Sequence, residues 1–516
     1  MIKSTYRWMF TAGVGLILLT QMLFAMPFRS AQGLPVEEVS SASSDPGGVH
    51  AGISAEDWEQ ILNQMGASYE QQAYLKASNP DFMDAFGYSV DIDGDTIVVG
   101  AYAEDGDGTG QENDDESFAG AAYVFVRSGG TWTQQAYLKA SNAEANDRFG
   151  YSVAIDGDTI VVGAYAEDGD GSSESNNDAY DAGAVYVFVR SGTSWTQQAY
   201  LKSCNIDAED NFGWSVAVDG DFIVVGAYGE DCDGTSKMNN DASMSGAAYV
   251  YVRSGDFWVY KSFLKASTIE AFDYFGYSVA IDGETIVVGA YGEDSDGTGE
   301  SNNGAKGAGA AYVFDFDGVF WNQVAFLKAD NTEDHDFFGD SVAIDGDTIV
   351  VGATGEDGDG TSPANNDASD AGAAYVFVRD GTTCTQQGYL KADNAGQDDC
   401  FGVSVDIVGD KIVAGAGFEA SDGSGPGNDD AESAGAAYVF TCSGGVWTQQ
   451  AYLKASNAET NDRFGYSVAI DGDTIVAGAF GEASDGTGEE NNNLSFAGAA
   501  YVFKALCKAY LPFIMR

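Results

Sequence analysis

The sequence predicts an all-β protein: a seven-bladed β-propeller of four-stranded antiparallel blades, preceded by a short N-terminal helix. Each repeat contains four short runs of β-branched and aromatic residues separated by turn residues. Seven such repeats are typical of a propeller. An open β-solenoid is the alternative, but its coils are usually far shorter. The repeat is marked by the dipeptide Phe-Gly, which recurs every 63 residues, at Phe86, Phe149, Phe212, Phe275, Phe338, Phe401 and Phe464.

We interpret residues 1–33 as a signal peptide. Lys3 and Arg7 precede an apolar run, and Ala31-Gln32-Gly33 places small residues where cleavage before Leu34 is plausible. An uncleaved anchor is the alternative, because the apolar run is long for a signal peptide. Both interpretations predict an exported chain. We therefore expect a secreted or cell-surface protein without membrane insertion after signal cleavage.

Residues 34–69 are predicted to be a linker that contains one short helix. The segment begins rich in Ser, Pro and Gly, which is typical of a flexible chain. Ser54 to Asp57 resembles a capping box, and Trp58, Ile61 and Met65 lie on one face of the helix that would follow. We expect this helix to dock on the repeats, and binding to a partner is the alternative.

The second copy illustrates the predicted order of strands within a repeat. Tyr151 to Ile155 alternates in polarity, and Asp156-Gly157-Asp158 forms a tight hairpin turn before the β-branched run Thr159 to Ala164. A long acidic loop follows. The third predicted strand is Gly183 to Val189, and the fourth is Trp195 to Lys202.

The two ends of the repeat region predict how the ring closes. The last copy stops after its third strand, while a spare fourth strand, Gln71 to Lys76, precedes the first Phe-Gly. Pairing them removes two sheet edges, so we predict one propeller over residues 70–503. The tail, residues 504–516, offers the alternative strand Lys508 to Leu511, which Pro512 disfavours. The tail either packs on the ring or acts as a sorting tag.

The composition excludes several classes of partner and site. The chain has 23 Lys plus Arg against 80 Asp plus Glu, a formal net charge of −57. Such a surface does not bind nucleic acid or anionic lipid. Only two histidines are present, which leaves little for a zinc site or histidine acid-base chemistry. The six cysteines lie at different repeat positions. Cys204 and Cys232 are both expected near the acidic loops, and the sequence does not fix a pairing.

The negative charge is concentrated in two kinds of loop. The long loop between the second and third strands follows the formula Glu-Asp-x-Asp-Gly, and an Asp stands two residues before each Phe-Gly. Both loops emerge on the same face of an antiparallel blade. Within them only Arg148, Lys237, Lys306 and Arg463 offset the acids. We therefore predict a face of a single sign that needs cations to neutralise it.

Three interpretations of these loops remain open. In the first, the Asp and Asn residues cap turns; in the second, they adapt the surface to high salt; in the third, they bind calcium. Clustered carboxylate and amide oxygens beside Gly suit the six to eight oxygen positions of Ca²⁺. Ala420 and Ala483 replace the first Asp in the last two copies, which should bind calcium weakly. The predicted ligands are Asp105, Asp107, Asp168, Asp170, Asp231, Asp233, Asp294, Asp296, Asp357 and Asp359.

The repeat resembles the FG-GAP repeat family, found in integrin alpha-subunit heads and in many secreted bacterial proteins. The resemblance rests on Asp147-Arg148-Phe149-Gly150 followed by the strands that end at Ala164, and on Tyr186 to Phe188. It implies a seven-bladed propeller, calcium in some members, and roles in adhesion or extracellular binding. Integrin-type repeats carry a calcium cage between the first two strands. This chain has only the Asp156-Gly157-Asp158 turn there, so that site is not carried over.

The sequence therefore predicts a monomeric binding and adhesion scaffold for an extracellular protein or polysaccharide, with no enzymatic activity and no catalytic residues. Seven nearly identical units present seven nearly identical sites, whereas an active site needs unlike residues that converge. The alternative is an extracellular polysaccharide lyase or hydrolase that uses the acidic face, because carboxylate pairs occur in every copy.

Overall fold

The computed structural model describes residues 68–108, 110, 115–174, 176–236, 239–425, 427–489 and 491–506. These residues contain 28 strands and no helix. The predicted signal peptide, the N-terminal helix and the tail from residue 507 onward lie outside them.

The strands form seven four-stranded antiparallel sheets, which are the blades. The first strand in the described residues is β1 (Tyr69–Leu75). Blade one follows with β2 (Val90–Asp93), β3 (Thr96–Ala101), β4 (Ala121–Ser128) and β5 (Thr131–Leu138). Blade two is β6 (Ser152–Asp156), β7 (Thr159–Ala164), β8 (Ala184–Ser191) and β9 (Ser194–Leu201). Blade three is β10 (Ser215–Asp219), β11 (Phe222–Ala227), β12 (Ala247–Ser254) and β13 (Phe257–Leu264).

The remaining blades repeat this order. Blade four is β14 (Val279–Asp282), β15 (Thr285–Ala290), β16 (Ala310–Phe316) and β17 (Trp321–Leu327). Blade five is β18 (Phe338–Asp345), β19 (Thr348–Ala353), β20 (Ala373–Asp380) and β21 (Thr383–Leu390). Blade six is β22 (Val405–Val408), β23 (Lys411–Ala416), β24 (Ala436–Ser443) and β25 (Val446–Leu453). Blade seven combines β26 (Ser467–Asp471), β27 (Thr474–Ala479) and β28 (Ala499–Ala505) with β1.

The cores of the protein lie between neighbouring blades. Val98 and Val124 of blade one pack with Phe149, Ile155 and Tyr186 of blade two in one buried cluster. Every residue of the second strand β7 is buried, because both faces of this strand are covered by neighbouring blades. The outer, fourth strands are less buried: β9 begins with exposed and half-buried residues in alternation and has one buried residue, Leu201, at its end.

The Phe-Gly dipeptide fastens each blade to the preceding one. The Phe149 side chain is completely buried, and its N–H donates to the carbonyl of Ala119 in blade one, 3.0 Å away. Gly150 has φ +88°, and a Cβ there would lie 2.1 Å from the carbonyl oxygen of Ala121. Only glycine permits this close approach of two backbones.

The N-terminal strand closes the ring, as the sequence predicts. β1 pairs antiparallel with β28, from Tyr69 opposite Ala505 to Leu75 opposite Ala500. The first Phe-Gly makes the second connection, because the Phe86 N–H donates to the carbonyl of Ala497. Blade seven is thus built from both ends of the repeat region.

Candidate functional site

The two acidic loop types lie together on one face of the propeller, which we call the acidic face. It consists of the loops between the second and third strands of each blade and the connections that lead into each Phe-Gly. Backbone hydrogen bonds join the two types across blades. The N–H of Asn146 donates to the carbonyl of Ser117 at 2.9 Å, and that of Arg148 to the carbonyl of Phe118 at 3.1 Å. The face is therefore continuous from one blade to the next.

The glutamate that begins each long loop is buried beneath this face. In blade two, Glu167 is 2% exposed, and its Oε2 accepts a hydrogen bond from Lys202 Nζ at 2.8 Å. Its Oε1 accepts from Tyr200 Oη at 2.9 Å and from Asn142 Nδ2 at 3.1 Å. A buried carboxylate is stable only with such a complete set of partners.

The same ion pair occurs in six blades. It corrects the expectation that only four basic residues offset the acidic loops, because each lysine comes from the end of a fourth strand rather than from a loop. Its constant spacing from Glu was visible in the sequence, since both residues recur every 63 residues. The pairs are Lys139–Glu104, Lys202–Glu167, Lys328–Glu293, Lys391–Glu356, Lys454–Glu419 and Lys76–Glu482.

Blade three departs from this pattern. Lys265 Nζ donates to Ser245 Oγ at 2.7 Å and to the carbonyl of Gly246 at 2.5 Å. Glu230 instead accepts from Asn205 Nδ2 and from Tyr249 Oη at 2.7 Å. Burial lowers the pKa of Lys265 to about 8.

The first Asp of each predicted calcium-ligand pair closes its own loop. Asp168 Oδ1 accepts the N–H of Asp181 at 2.8 Å, and the Asp168 carbonyl accepts the N–H of Ala179. Ala420 and Ala483 keep the carbonyl bond but have no carboxylate to make the other. The side-chain bond recurs at Asp105, Asp231, Asp294 and Asp357.

The second Asp of each pair turns the backbone at the tip of the loop. Asp233 Oδ1 accepts both the N–H and the hydroxyl of Thr235, at 2.8 and 2.6 Å. This is the Asx turn that Asp side chains favour before Gly. The hydroxyl bond lowers the pKa of these carboxyls below the ordinary value. The lowered group comprises Asp170, Asp233, Asp296 and Asp359, and Asp107 holds the same position in blade one.

The predicted ligands thus lie two to a loop, two residues apart. Nine of them accept a backbone N–H of their own loop: Asp105, Asp168, Asp170, Asp231, Asp233, Asp294, Asp296, Asp357 and Asp359. Among the described residues, no group of three or more His, Cys, Asp or Glu converges to hold a metal ion. Carboxylate and amide oxygens are nevertheless the donors that calcium prefers. The donor chemistry fits calcium, whereas the described arrangement is not a ready-made cage.

A second set of buried carboxylates lies two residues before each Phe-Gly. Asp147 is 5% exposed, and its Oδ2 accepts the N–H of Glu144 at 2.9 Å. Burial raises the pKa of Asp147 and of Asp210 to about 8. Burial also raises the pKa to about 7 for Asp84, Asp273, Asp336 and Asp462, and to about 6 for Asp399. The sequence pointed to these positions but not to their protonation.

Two further observations concern the cysteines and the bilayer. The five described cysteines, Cys204 and Cys232 among them, are free thiols. No helix in the described part of the chain is long and apolar enough to span a bilayer.

Comparison with known proteins identifies the repeat. The family model of the FG-GAP repeat matches the chain seven times, and no curated protein matches it. Each match runs from the fourth strand of one blade through the first three strands of the next. The matched residues are 69–125, 132–188, 195–251, 258–314, 321–377, 384–440 and 447–503.

Proposed function

Because the chain belongs to the FG-GAP repeat family, we propose that it is a secreted or cell-surface adhesion scaffold that calcium stabilises. Propellers of this family are in general protein-interaction scaffolds without catalytic activity. The proposal adds the location, the adhesive role and the metal to that general function. The proposed ligands of the scaffold are extracellular proteins or polysaccharides.

The acidic face is the observation that supports this proposal best. Seven copies of the same two loops lie side by side. At the loop tips, Asp side chains accept backbone N–H groups two residues further on and so hold the turn. A surface made of repeated sites can contact a large ligand at several blades at once, which raises its affinity without a deep pocket.

Calcium is proposed as the counter-ion of this face. The whole chain carries a formal net charge of −57, and the loops of the acidic face present carboxylate and amide oxygens. Self-repulsion of this size destabilises a compact state unless cations reduce it. Asp105, Asp168, Asp231, Asp294 and Asp357, with the second Asp of each loop, are the proposed ligands.

An array of extracellular proteins and glycans, probed with the purified chain in calcium and in chelator, tests this function. We expect a bound partner whose signal falls when calcium is removed. A matched variant, Asp233→Asn with Asp296→Asn, should weaken the signal, whereas Asp158→Asn, in an exposed pair remote from these loops, should not. Turnover of a polysaccharide by the purified chain would contradict the proposal and support the lyase or hydrolase.

A further inference from the structure

The seam between blades five and six contains a cleft that the proposed scaffold function does not yet use. The cleft has a volume of about 430 Å³ and is bounded by the end of β21 and by the outer strands of blade six. Its size falls within the roughly 300–1,000 Å³ of small-molecule sites. Tyr389, Phe440 and Trp447 supply aromatic walls, and Asp393 and Gln449 supply polar edges. Aromatic walls with a few polar groups are typical of ligand sites.

The first distinctive feature of this seam is a missing methyl group. Gly388 stands where Ala occurs in five of the other blades, at Ala73, Ala136, Ala199, Ala325 and Ala451. A Cβ at Gly388 would lie 3.3 Å from Cδ1 of Trp447, which is tighter than an ordinary contact. The equivalent Ala shares a cluster with Trp132, Trp195 and Trp258 at three other seams, so Ala at position 388 would move Trp447 by a few tenths of an ångström.

The second feature concerns the face of that indole. In blades one to three an Arg guanidinium lies over the equivalent Trp, at 5.0 Å for Arg190 over Trp195 and 4.4 Å for Arg253 over Trp258. In blade six the residue opposite Trp447 across the strands is Cys442. The Cys442 side chain carries no charge and is far shorter than Arg. The cation that covers the indoles of blades one to three is therefore absent opposite Trp447, whereas in blade four Phe316 stands opposite Trp321.

The third feature is a carboxylate at the rim. At the seam between blades one and two, Ser141 Oγ accepts from Gln197 Nε2 at 2.8 Å. The equivalent residue beside the cleft is the exposed Asp393, whose N–H donates to Gln449 Oε1 at 3.0 Å. Asp330 holds this position at the seam between blades four and five, and the other seams have Ser or Cys there. The substitution adds a hydrogen-bond acceptor at the mouth of the cleft, next to an amide.

We propose that this cleft binds one uncharged pyranose unit of a polysaccharide. The C–H face of a sugar ring packs on an indole, while its hydroxyl groups need donors and acceptors at the ring edge. Trp447 provides the first, and Asp393 and Gln449 provide the second. Uronate or sulfated sugars are disfavoured, since Asp393 and the acidic chain repel them. Lys391 also lines the cleft, but its ammonium group is already paired with Glu356. This inference rests on the proposed binding function and names one ligand class for it.

Saturation-transfer NMR on the full chain tests the site. The probes are four neutral disaccharides (maltose, cellobiose, lactose and mannobiose) and a diuronate of similar size. We expect saturation of at least one neutral sugar and none of the diuronate. Trp447→Ala should abolish the signal, and Gly388→Ala, which restores the residue of the other blades, should reduce it several-fold. The matched control Trp195→Ala should retain it, with melting curves confirming that each variant is folded.

The outcomes separate this inference from the broader function. Failure of every neutral sugar to be saturated would overturn the pyranose site, and so would equal loss in the Trp195 and Trp447 variants. Saturation of the diuronate to the same extent would overturn the preference for uncharged sugars. If the sugars fail while an array partner still binds in calcium, the scaffold function stands and only the cleft assignment falls. If the sugars bind and the array finds no partner, the cleft stands alone.

Discussion

At the scale of single residues, the fold depends on buried Lys–Glu ion pairs beneath the acidic face. Lys202→Met leaves Glu167 buried without its cation, and removing one partner of such a pair costs about 3–5 kcal/mol. The free energy of unfolding, measured by urea denaturation, should fall accordingly. The matched control is Asp158→Asn, whose partner is Arg190 and whose side chain is 70% exposed. Breaking that pair should change stability by about 0–1 kcal/mol. Equal losses in the two variants would contradict the assigned role of burial.

The buried Asp residues before Phe-Gly predict how stability depends on pH. Burial raises the pKa of Asp147 to about 8 in the folded chain, above its ordinary value of 3.8. The folded state therefore holds a proton that the unfolded state releases above pH 4. The resulting stabilisation is complete below pH 4 and is lost as the pH rises through about 8.

Asp147→Asn tests this dependence, because the amide stays neutral and its oxygen can still accept the Glu144 N–H. The variant should match the wild type at pH 4 and be more stable at pH 8, as measured by urea denaturation across that range. Curves that run parallel at all pH values would show that Asp147 is ionised in the folded chain.

The sequence identified the acidic positions but not their partners. Glu167 and Asp147 were recognised as recurring acids, yet a recurrence says nothing of burial. The lysine at position 202 lies 35 residues from its partner Glu167, and only the hairpin of β8 and β9 brings the two together. The seam at Gly388 was missed for the same reason: its meaning depends on a Trp from the next blade.

Ring closure is the central feature at the scale of strands. β1 contributes the outer strand of blade seven, and Lys76 pairs with Glu482 at 2.6 Å. Deleting residues 1–78 should expose the edge of β28 and greatly lower the melting temperature, followed by circular dichroism. Deleting residues 1–67 keeps β1 and serves as the control, with melting close to that of the full chain. If both truncations melt alike, β1 is not what closes the ring.

The sequence was most informative at this scale. The 63-residue interval and the turn residues predicted the four strands of each blade and closure by the N-terminal strand, because local pattern and repetition agree there. The first residue of a strand was harder to predict where a loop joins the hydrogen-bonded ladder of the sheet. β18 begins at Phe338 itself, whereas β6, its counterpart in blade two, begins three residues after Phe149.

At the scale of the whole molecule, the propeller gathers negative charge on one face, and lysines pair with six of the seven buried glutamates beneath it. The exposed Asp residues of the long loops remain to attract cations from solution. This division follows from the blade geometry, because fourth-strand lysines reach Glu beneath the loops but not Asp at the loop tips. We therefore expect the acidic face to bind divalent cations.

Calorimetric titration of calcium into the chelator-stripped chain tests this expectation most directly, together with melting at matched ionic strength. We expect saturable binding heat at the five loops that keep the first Asp, and weaker binding at the loops with Ala420 and Ala483. At a free calcium concentration about a hundred times the dissociation constant, each occupied site should add about 2.7 kcal/mol to the free energy of unfolding. The melting temperature should therefore rise more in calcium chloride than in sodium chloride at the same ionic strength. Equal effects of the two salts, without saturable heat, would contradict the account and leave only charge screening.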